Sequence, residues 1–562
     1  MKKPIHEKKV YENIRDVVED IGSLYADRVA FSYRIKPRDK EIIKKTYPQL
    51  RDDVRALTTE LISRGVTGKH VALVGKLSYH WILVYYSTLA AGGVLVPLDK
   101  EWLAQDLATT GAKAEVSFVF CDGDSIEKGR AISEEAGCGE PIALEYGEGT
   151  IDELVELGRE KFKADSSAYY GTVINPEVLS LLVFTSGTTG KGKGVMLSQK
   201  NILSDIASPL QFIDFTDKSV GVLPPHHTFG STVNILGHNC IGCEVYLSSG
   251  IRYVQQELKE QTPGHMVLVP LYLETFYRKI MANIKEQGKE KLIARMMKLS
   301  NFLRKVFRID LRRKFFKAVL AAFGGEVRMI VCGGAPINQD ILTFFNNVGI
   351  EILNGYGITE CAPIIACNHS HDVIPGSVGP VCDVNEVLIH EPNEDGEGEI
   401  WARGDNIMLG YFKDEEATAD AITEDGYFRT GDYGKLGPKG EIYITGRKKN
   451  LIILSNGKNV YPEEIESEFV SVPGVIDIIV YEGQSKRGLM YNTIVAEVYP
   501  DEDYIKKNNV EDIYAHLKKY VDEYNTTAVP YKKIGILKVR TEEFPKNTLR
   551  KIMRFKLDMT ID

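Results

Sequence analysis

From about residue 68, short apolar runs alternate with longer segments in which apolar residues recur every three or four positions. The runs have the length of buried strands and the longer segments have the periodicity of helices. This pattern predicts parallel sheets covered by helices on both faces. Ligands of such sheets bind beyond the carboxyl ends of the strands. The clearest predictions are strands at 71–74, 93–97, 179–184, 265–269, 327–332 and 350–353, and a helix at 79–91.

The pattern changes near Gly446. Strand-like segments at 478–481, 491–498 and 534–539 surround a polar helical stretch at 510–524, which predicts a compact α+β unit of ordinary domain size. A chain of 562 residues is also too long for a single core. We therefore predict an α/β protein with a large N-terminal domain of layered α/β subdomains with mostly parallel sheets, and a small α+β C-terminal domain. The predicted domains span 1–446 and 447–562.

The segment between Arg278 and Lys317 is strongly basic. It holds fourteen Lys and Arg residues against three acidic residues, in a chain whose net charge is −9. Apolar residues recur in it at the spacing of one helix face. Two interpretations remain open: a solvated helix that packs on its own domain, and an interfacial helix that rests on anionic lipid. The apolar positions are Leu292, Met296, Leu299, Leu303 and Phe307.

The composition indicates a cytoplasmic protein, with peripheral contact at the inner membrane surface left open by the basic segment. The net charge of −9 argues against a protein devoted to nucleic acid. The polar N-terminus has no apolar core of a secretory signal, and polar residues interrupt the apolar region at 81–98, so we expect no membrane span there. Eight scattered cysteines suit a reducing compartment. Cys240 and Cys243 form an isolated C-x-x-C pair, which two small buried residues explain better than a metal site.

An apolar run at 181–184 ends in the string TSGTTGKGKG at 185–194. The glycines let successive amide groups turn toward one ligand, and the hydroxyl and lysine side chains add donors and positive charge, which together suit a polyphosphate. Gly187, Gly192 and Lys193 have the spacing of the common NTPase phosphate loop. However, Gly194 stands where that loop needs a Ser or Thr to hold magnesium. A metal ligand must therefore come from elsewhere in the chain.

Such a ligand follows the predicted strand at 350–353. In the segment NGYGITE, Tyr356 offers an aromatic face, Thr359 a hydroxyl and Glu360 a carboxylate. Together with the glycine-rich string, this segment resembles the signatures of the adenylate-forming superfamily, which includes acyl-CoA synthetases, firefly luciferase and the adenylation domains of peptide synthetases. The resemblance implies that Tyr356 stacks on adenine, Thr359 contacts the α-phosphate and Glu360 binds magnesium. One departure is Gly192, where the superfamily usually has proline.

Three further segments follow the superfamily's order. An aspartate after a glycine turn can accept both hydroxyls of a ribose, and the resemblance gives this role to Asp432. It also makes Lys449 the hinge of a mobile C-terminal domain. In PKNTLRKI at 545–552, the resemblance assigns Lys551 to the substrate carboxylate and the α-phosphate, although Asn547 and Arg550 depart from the usual residues. The implied nucleotide- and CoA-binding residues are Thr185, Ser186, Gly187, Thr188, Thr189, Lys193, Gly333, Gly334, Ala335, Tyr356, Asp432, Arg447, Lys449 and Gly457.

The segment PPHHTFG at 224–230 bears on the acid substrate. It lacks the aspartate that pairs an amino-acid ammonium in peptide-synthetase domains, and His227 matches the histidine that borders the acyl pocket of acyl-CoA synthetases. The long insert between Gly250 and Gly333 resembles the long-chain enzymes. The resemblance therefore implies a fatty acid–CoA ligase that uses ATP, Mg²⁺ and coenzyme A, with Lys551, Thr359 and His227 as its catalytic residues. The alternatives are an acyl-carrier protein as acceptor, a different carboxylic acid, and a non-catalytic acyl-nucleotide sensor.

Overall fold

A computed structural model of the protein describes residues 3–185, 192–454, 459–470, 472–484, 490–546 and 552–561. Within these ranges the strands form five sheets. Two large, mostly parallel sheets and one antiparallel sheet lie before residue 448, and two smaller sheets follow it. The predicted α/β class is therefore confirmed.

The first large sheet has eight strands in the described part of the chain. Its six central strands run parallel, and an antiparallel strand closes each edge. In spatial order the strands are Ile364–Cys367, Glu351–Gly357, Met329–Cys332, His265–Leu268, Lys218–Gly221, Glu244–Leu247, Val29–Tyr33 and Ile43–Thr46.

The second large sheet has seven strands among the described residues. Five are parallel, and two antiparallel strands extend one edge. In spatial order they are Gly410–Tyr411, Lys193–Ser198, Leu179–Thr185, Val94–Leu98, His70–Val74, Val116–Cys121 and Ile142–Ala143.

A four-stranded antiparallel sheet follows in the chain, and its strands are Asn385–His390, Gly398–Gly404, Phe428–Leu436 and Ile442–Arg447. After residue 448, a three-stranded sheet carries its own apolar core, to which Ile465, Val480 and Leu517 belong. The domain boundary at 446 stays a prediction. The strands after 448 are Ile452–Ile453, Asn459–Val460, Val475–Gln484, Met490–Pro500 and Ile534–Val539.

Helices cover the sheets. The helix Tyr79–Ala90 is buried along its whole length, as a helix that is apolar on all sides must be. The other α-helices of at least eight residues are Ile14–Leu24, Tyr47–Ser63, Ala104–Lys113, Ile126–Ala136, Ile151–Ala164, Gln199–Ala207, Val254–Gln261, Pro270–Glu286, Glu290–Phe307, Gln339–Val348, Pro462–Phe469 and Ile513–Thr527. The shorter ones are Ser167–Gly171, His238–Cys240, Arg312–Phe315, Lys317–Leu320, Glu415–Ala421 and Glu502–Lys507, and a π-helix spans Phe229–Gly237.

One element differs from its prediction in a way that matters for the site. The strand predicted to end at Leu353 continues to Gly357 and so includes Tyr356. The extension arises because Gly355 and Tyr356 pair with Cys367 and Ala366 of the antiparallel edge strand. Tyr356 is therefore held by a ladder and not by a loop.

The basic segment forms the helix Glu290–Phe307 and its neighbours. Ile293, Met296 and Met297 pack against the core of the eight-stranded sheet. This side of the helix agrees with the interpretation that it packs on its own domain. The opposite side is apolar as well, and its exposed residues are Leu292, Leu299, Phe302, Val306 and Phe307. None of the helices among the described residues combines the length and the apolar character needed to cross a bilayer.

Candidate active site

Two of the predicted motifs meet at the carboxyl edge of the eight-stranded sheet. Cys332 and Asn354 pair across neighbouring parallel strands, which places Gly333 beside Gly355. A Cβ atom on Gly333 would lie 3.2 Å from the Gly355 carbonyl oxygen, and one on Gly357 would lie 1.7 Å from the carbonyl oxygen of Pro363. Gly357 is thus required by a close backbone approach.

Tyr356 and Asp432 come together from two different sheets. The Tyr356 hydroxyl donates to Asp432 Oδ2 at 2.7 Å, and Arg447 Nε lies 2.8 Å from Asp432 Oδ1. Asp432 is 3% exposed, and Arg447 stands opposite it in the antiparallel register. Desolvation and the Asp432 charge raise the pKa of Tyr356, which keeps its hydroxyl a donor. Three motifs that are distant in sequence therefore share one hydrogen-bonded unit.

A second unit centres on Glu360. The Tyr411 hydroxyl donates to Glu360 Oε1 at 2.9 Å, and Lys193 Nζ lies 4.7 Å from the centre of the Tyr411 ring, within cation–π distance. Desolvation raises the pKa of Glu360, and the Tyr411 hydrogen bond opposes that shift. Tyr411 thus connects the lysine of the glycine-rich string to the carboxylate of the second motif.

The Glu360 unit has donor chemistry that fits Mg²⁺. Magnesium prefers one or two carboxylate oxygens and completes its shell with water and phosphate oxygens. A nearby cation would also favour the ionised form of a carboxylate whose pKa desolvation has raised. Glu360 is therefore the residue that would hold the metal, which would neutralise charge on the phosphates when bound.

An apolar cavity of about 80 Å³ lies beside these motifs. Gly333, Gly334, Gly355, Tyr356 and Gly357 form the part of its wall that belongs to these two motifs. The rest of the wall is almost entirely apolar, and it includes Ile206, Leu210, Ile213, Phe215, Phe229, Val233 and Val331. The site therefore places an apolar space directly against a polar, motif-lined edge.

The family follows from a profile comparison. A model described as AMP-binding enzyme matches residues 19–412, which is well over half of the chain. The chain belongs to the AMP-binding enzyme family. The protein is accordingly an enzyme of the adenylate-forming acyl-CoA ligase type, as its motifs predicted.

Individual members of the AMP-binding family are similar over most of the chain. Long-chain-fatty-acid–CoA ligase 5 of Rattus norvegicus is 27% identical over 80% of this chain and 71% of its own length. Long-chain-fatty-acid–CoA ligase 1 of Homo sapiens is 27% identical over 85% of this chain and 73% of its own length. Among solved structures, ATP-bound MatB of Rhodopseudomonas palustris has a TM-score of 0.75 at 23% identity, covering 96% of this chain and 97% of that chain. The last likeness shows the AMP-binding fold.

Four of the remaining predicted motif residues lie among the described residues. Thr185 ends the strand Leu179–Thr185, and Thr359 begins a short 3₁₀ helix with Glu360. Ala335 follows the two glycines in the loop after Cys332, and Lys449 is exposed in the 3₁₀ turn after Arg447. Ser186, Gly187, Thr188, Thr189, Gly457 and Lys551 lie outside the described residues.

His227 occupies the loop before the π-helix and is not itself among the residues of the described cavity wall. Its ring centre lies 4.2 Å from that of His226, and its carbonyl accepts the amides of Gly230 and Ser231. Phe229, two residues later, does line the cavity. Burial lowers the pKa of His226 to about 4, so this neighbour of His227 is neutral near pH 7.

Tyr411 is the site residue that sequence reasoning missed. It belongs to the two-residue strand Gly410–Tyr411, which joins the second large sheet through pairing with Val195. No motif spacing points to it, because its partners Lys193 and Glu360 are more than fifty residues away in the chain. Its role became visible only from the strand pairing and from the bond to Glu360.

Proposed function

We propose that this protein is an ATP- and Mg²⁺-dependent ligase that converts a long-chain fatty acid to acyl-AMP and pyrophosphate, and then to acyl-CoA and AMP. The observation that carries the proposal is the apolar cavity whose wall includes Gly333, Gly334 and Tyr356. A carboxylate bound there would have its alkyl chain among apolar side chains and its oxygens at the nucleotide edge. The names of the similar ligases support a long-chain acid.

In the first half-reaction a carboxylate oxygen attacks the α-phosphorus and pyrophosphate leaves. Such a step needs positioning and neutralisation of charge more than covalent help from the protein. We assign charge neutralisation to Lys551 and the α-phosphate contact to Thr359, and Glu360 would hold the Mg²⁺ that supplies further positive charge when bound. His227 would border the acyl carboxylate.

The nucleotide would be bound by the two hydrogen-bonded units. Asp432 would accept the ribose hydroxyls, which requires them to share or displace the Tyr356 and Arg447 contacts. Lys193 would face the phosphates from its place above the Tyr411 ring. The remaining proposed contacts are Thr185, Ser186, Gly187, Thr188, Thr189, Gly333, Gly334 and Ala335.

In the second half-reaction a thiol attacks the acyl carbon of the adenylate and AMP leaves. We propose that the segment 447–562 rotates about Lys449 between the two steps and that Gly457 then lines the thiol channel. Lys449→Pro tests this hinge, because proline fixes φ at one value. We expect normal single-turnover pyrophosphate release with little acyl-CoA formed. Equal loss of both products would contradict the hinge.

The decisive experiment for the function combines the protein with ATP, Mg²⁺ and a panel of carboxylic acids, with and without CoA. We expect pyrophosphate release with fatty acids and acyl-CoA only when CoA is present. Acyl transfer to acyl-carrier protein but not to CoA would favour the alternative acceptor. Nucleotide and acid binding without any pyrophosphate release would favour a sensor.

We also propose that the helix Glu290–Phe307 contacts anionic membrane from the cytoplasmic side. Leu292, Leu299, Phe302 and Val306 follow each other at helical spacing and are each 50–55% exposed. Four basic residues fall on or beside this stripe at the helical spacing: Lys291, Arg295, Lys298 and Lys305. An apolar stripe flanked by bases matches an anionic bilayer surface, in which long-chain acids dissolve.

A further inference from the structure

The end of the apolar cavity that is remote from the motifs can be located from strand register. Along the strands His265–Leu268 and Met329–Cys332, alternate residues face the same side of the sheet. Val331 and Gly333 both line the cavity, so Met329 and its register partner His265 share that face. His265 is the first residue of its strand, whereas the motifs follow the last residue. The His265 end of the strand is therefore about 10 Å from the end that carries the motifs, at roughly 3.3 Å per residue.

Phe215 stands at this remote end. It is part of the cavity wall, and its ring packs edge-on against two buried imidazoles. The ring centres are 5.0 Å from His265 at an interplanar angle of 63° and 5.6 Å from His238 at 73°. Such edge-to-face contacts are a favoured aromatic geometry. Phe215 therefore separates the apolar cavity from a polar pair in the core.

A hydrogen-bonded relay holds Phe215 in place through the next residue. The Thr216 amide donates to His265 Nδ1 at 3.3 Å, and the Thr216 hydroxyl lies 2.7 Å from the same atom. His265 Nε2 lies 2.7 Å from His238 Nε2, and His238 Nδ1 lies 2.6 Å from the Asn234 carbonyl oxygen. With Nδ1 accepting in His265, its Nε2–H donates to His238, and the Nδ1–H of His238 donates to Asn234.

Both imidazoles are neutral near pH 7, because burial lowers the pKa of His238 to about 4 and holds the pKa of His265 well below its ordinary value. Cys243 lies close enough to complete a group of three potential metal ligands. Each ring nitrogen of the pair already has a hydrogen-bond partner, however, and the neutral pair explains the cluster without a metal. The relay is a rigid backing for the cavity wall.

The cavity holds only the first part of the proposed substrate. Its volume is about 80 Å³, whereas an apolar cavity of about 150 Å³ is the size that admits a benzene ring. Only the first carbons of an acyl chain fit between the glycines of the motifs and the remote wall. The carbons beyond them reach Phe215, the bulkiest wall residue at that end.

We propose that Phe215 is the residue that determines which acyl-chain lengths this enzyme accepts. The inference rests on the proposed fatty acid activation and adds a specificity residue to it. Phe215 packs on the hydrogen-bonded pair His238 and His265, and the next residue, Thr216, bonds to His265. These contacts restrict its movement, so the size of its side chain limits the depth of the cavity. A smaller residue deepens the cavity, and a larger one shortens it.

The test compares Phe215→Ala and Phe215→Trp with the unchanged enzyme on saturated fatty acids from butyrate to stearate, using pyrophosphate release. We expect Phe215→Ala to raise kcat/KM for longer acids relative to shorter ones by about tenfold, and Phe215→Trp to change the ratio in the opposite direction, because one methylene in an apolar pocket is worth at least that factor. Phe212→Ala is the matched control, since Phe212 stacks on His369 at 4.1 Å and is not part of the cavity wall.

The outcomes separate this inference from the function on which it rests. An unchanged enzyme that releases no pyrophosphate with any fatty acid would overturn the proposed function. An active enzyme whose length profile is the same with Ala, Phe and Trp at position 215 would overturn only the role of Phe215. The paired variants guard against loss of folding, since Trp keeps the position filled, and opposite shifts in the profile cannot come from a common loss of stability.

Discussion

The motif site and the helix Glu290–Phe307 differ in whether their side chains have partners within the described part of the protein. At the motif site, polar groups are paired with one another: Asp432 accepts from Tyr356 and faces Arg447, and Glu360 accepts from Tyr411. On the helix, large apolar side chains such as Phe302 are more than half exposed. The polar groups of the motif site bond to one another, and a bound ligand can replace these hydrogen bonds with its own. The helix leaves apolar area in water, which favours an external partner.

The largest expected effect concerns charge at the motif site. We expect Lys551→Ala to lower the rate of acyl-adenylate formation by about 10²–10³-fold, because the loss of one charge-stabilising donor lowers kcat by that factor. Thioester formation from supplied acyl-AMP should be unchanged. Pyrophosphate release and acyl-CoA formation measured separately would show this. Lys546→Ala is the control, since Lys546 is already paired with Asp477 at 2.6 Å and Glu543 at 2.9 Å. A stronger effect at Lys546 would reverse the assignment.

Removal of the carboxylate at the centre of the first unit comes next. Asp432→Ala leaves the Tyr356 hydroxyl and the Arg447 guanidinium without their shared partner and deletes the proposed ribose acceptor. Hydrogen bonds to charged groups contribute about 1.5–3 kcal/mol, so we expect kcat/KM for ATP to fall by about 100-fold. The exposed Asp420→Ala is the matched control. An unchanged kcat/KM for ATP would show that the unit is structural only.

The second unit predicts a shift in pH dependence. The Tyr411 hydrogen bond lowers the pKa of Glu360 against the raising effect of desolvation. Tyr411→Phe removes only that bond, so the pKa rises and more of Glu360 is protonated at a given pH. If the carboxylate form binds the metal, the acidic limb of the kcat/KM profile moves up by about one pH unit. Tyr427→Phe, which loses a bond to exposed Glu386, should leave the limb in place.

The smallest effect on catalysis is expected at the helix, where binding to vesicles should change instead. Replacing three bases together, Lys291→Gln, Arg295→Gln and Lys298→Gln, should weaken binding to anionic liposomes by about 100-fold. Each basic residue near an anionic surface contributes about 1 kcal/mol to binding. Leu299→Gln with Phe302→Gln should weaken binding to the same liposomes by about tenfold. Activity on a detergent-dispersed acid should not change. Arg312 and Arg313 are left intact, because they donate to backbone carbonyls of Asn346 and Val327.

The control for the helix is a pair of exposed apolar residues elsewhere, Leu103→Gln with Val173→Gln. If that pair reduces vesicle binding as much as Leu299→Gln with Phe302→Gln, the stripe is not a specific surface. If the unchanged protein does not bind anionic vesicles at low salt, the helix is a solvated one and the contrast with the motif site has another cause.

The sequence by itself determined the α/β class, the family, and the position of most strands within a few residues, because apolar periodicity and glycine-rich motifs are local signals. It also placed Tyr356, Glu360 and Asp432 in one site through the order of their motifs. Only the tertiary structure decided that Tyr411 bonds to Glu360, that Phe215 lines the cavity and packs on His238 and His265, and that the basic helix is apolar on both sides. These facts depend on strand register and on which helix face meets the core, and both arise from contacts between segments that are distant in the chain.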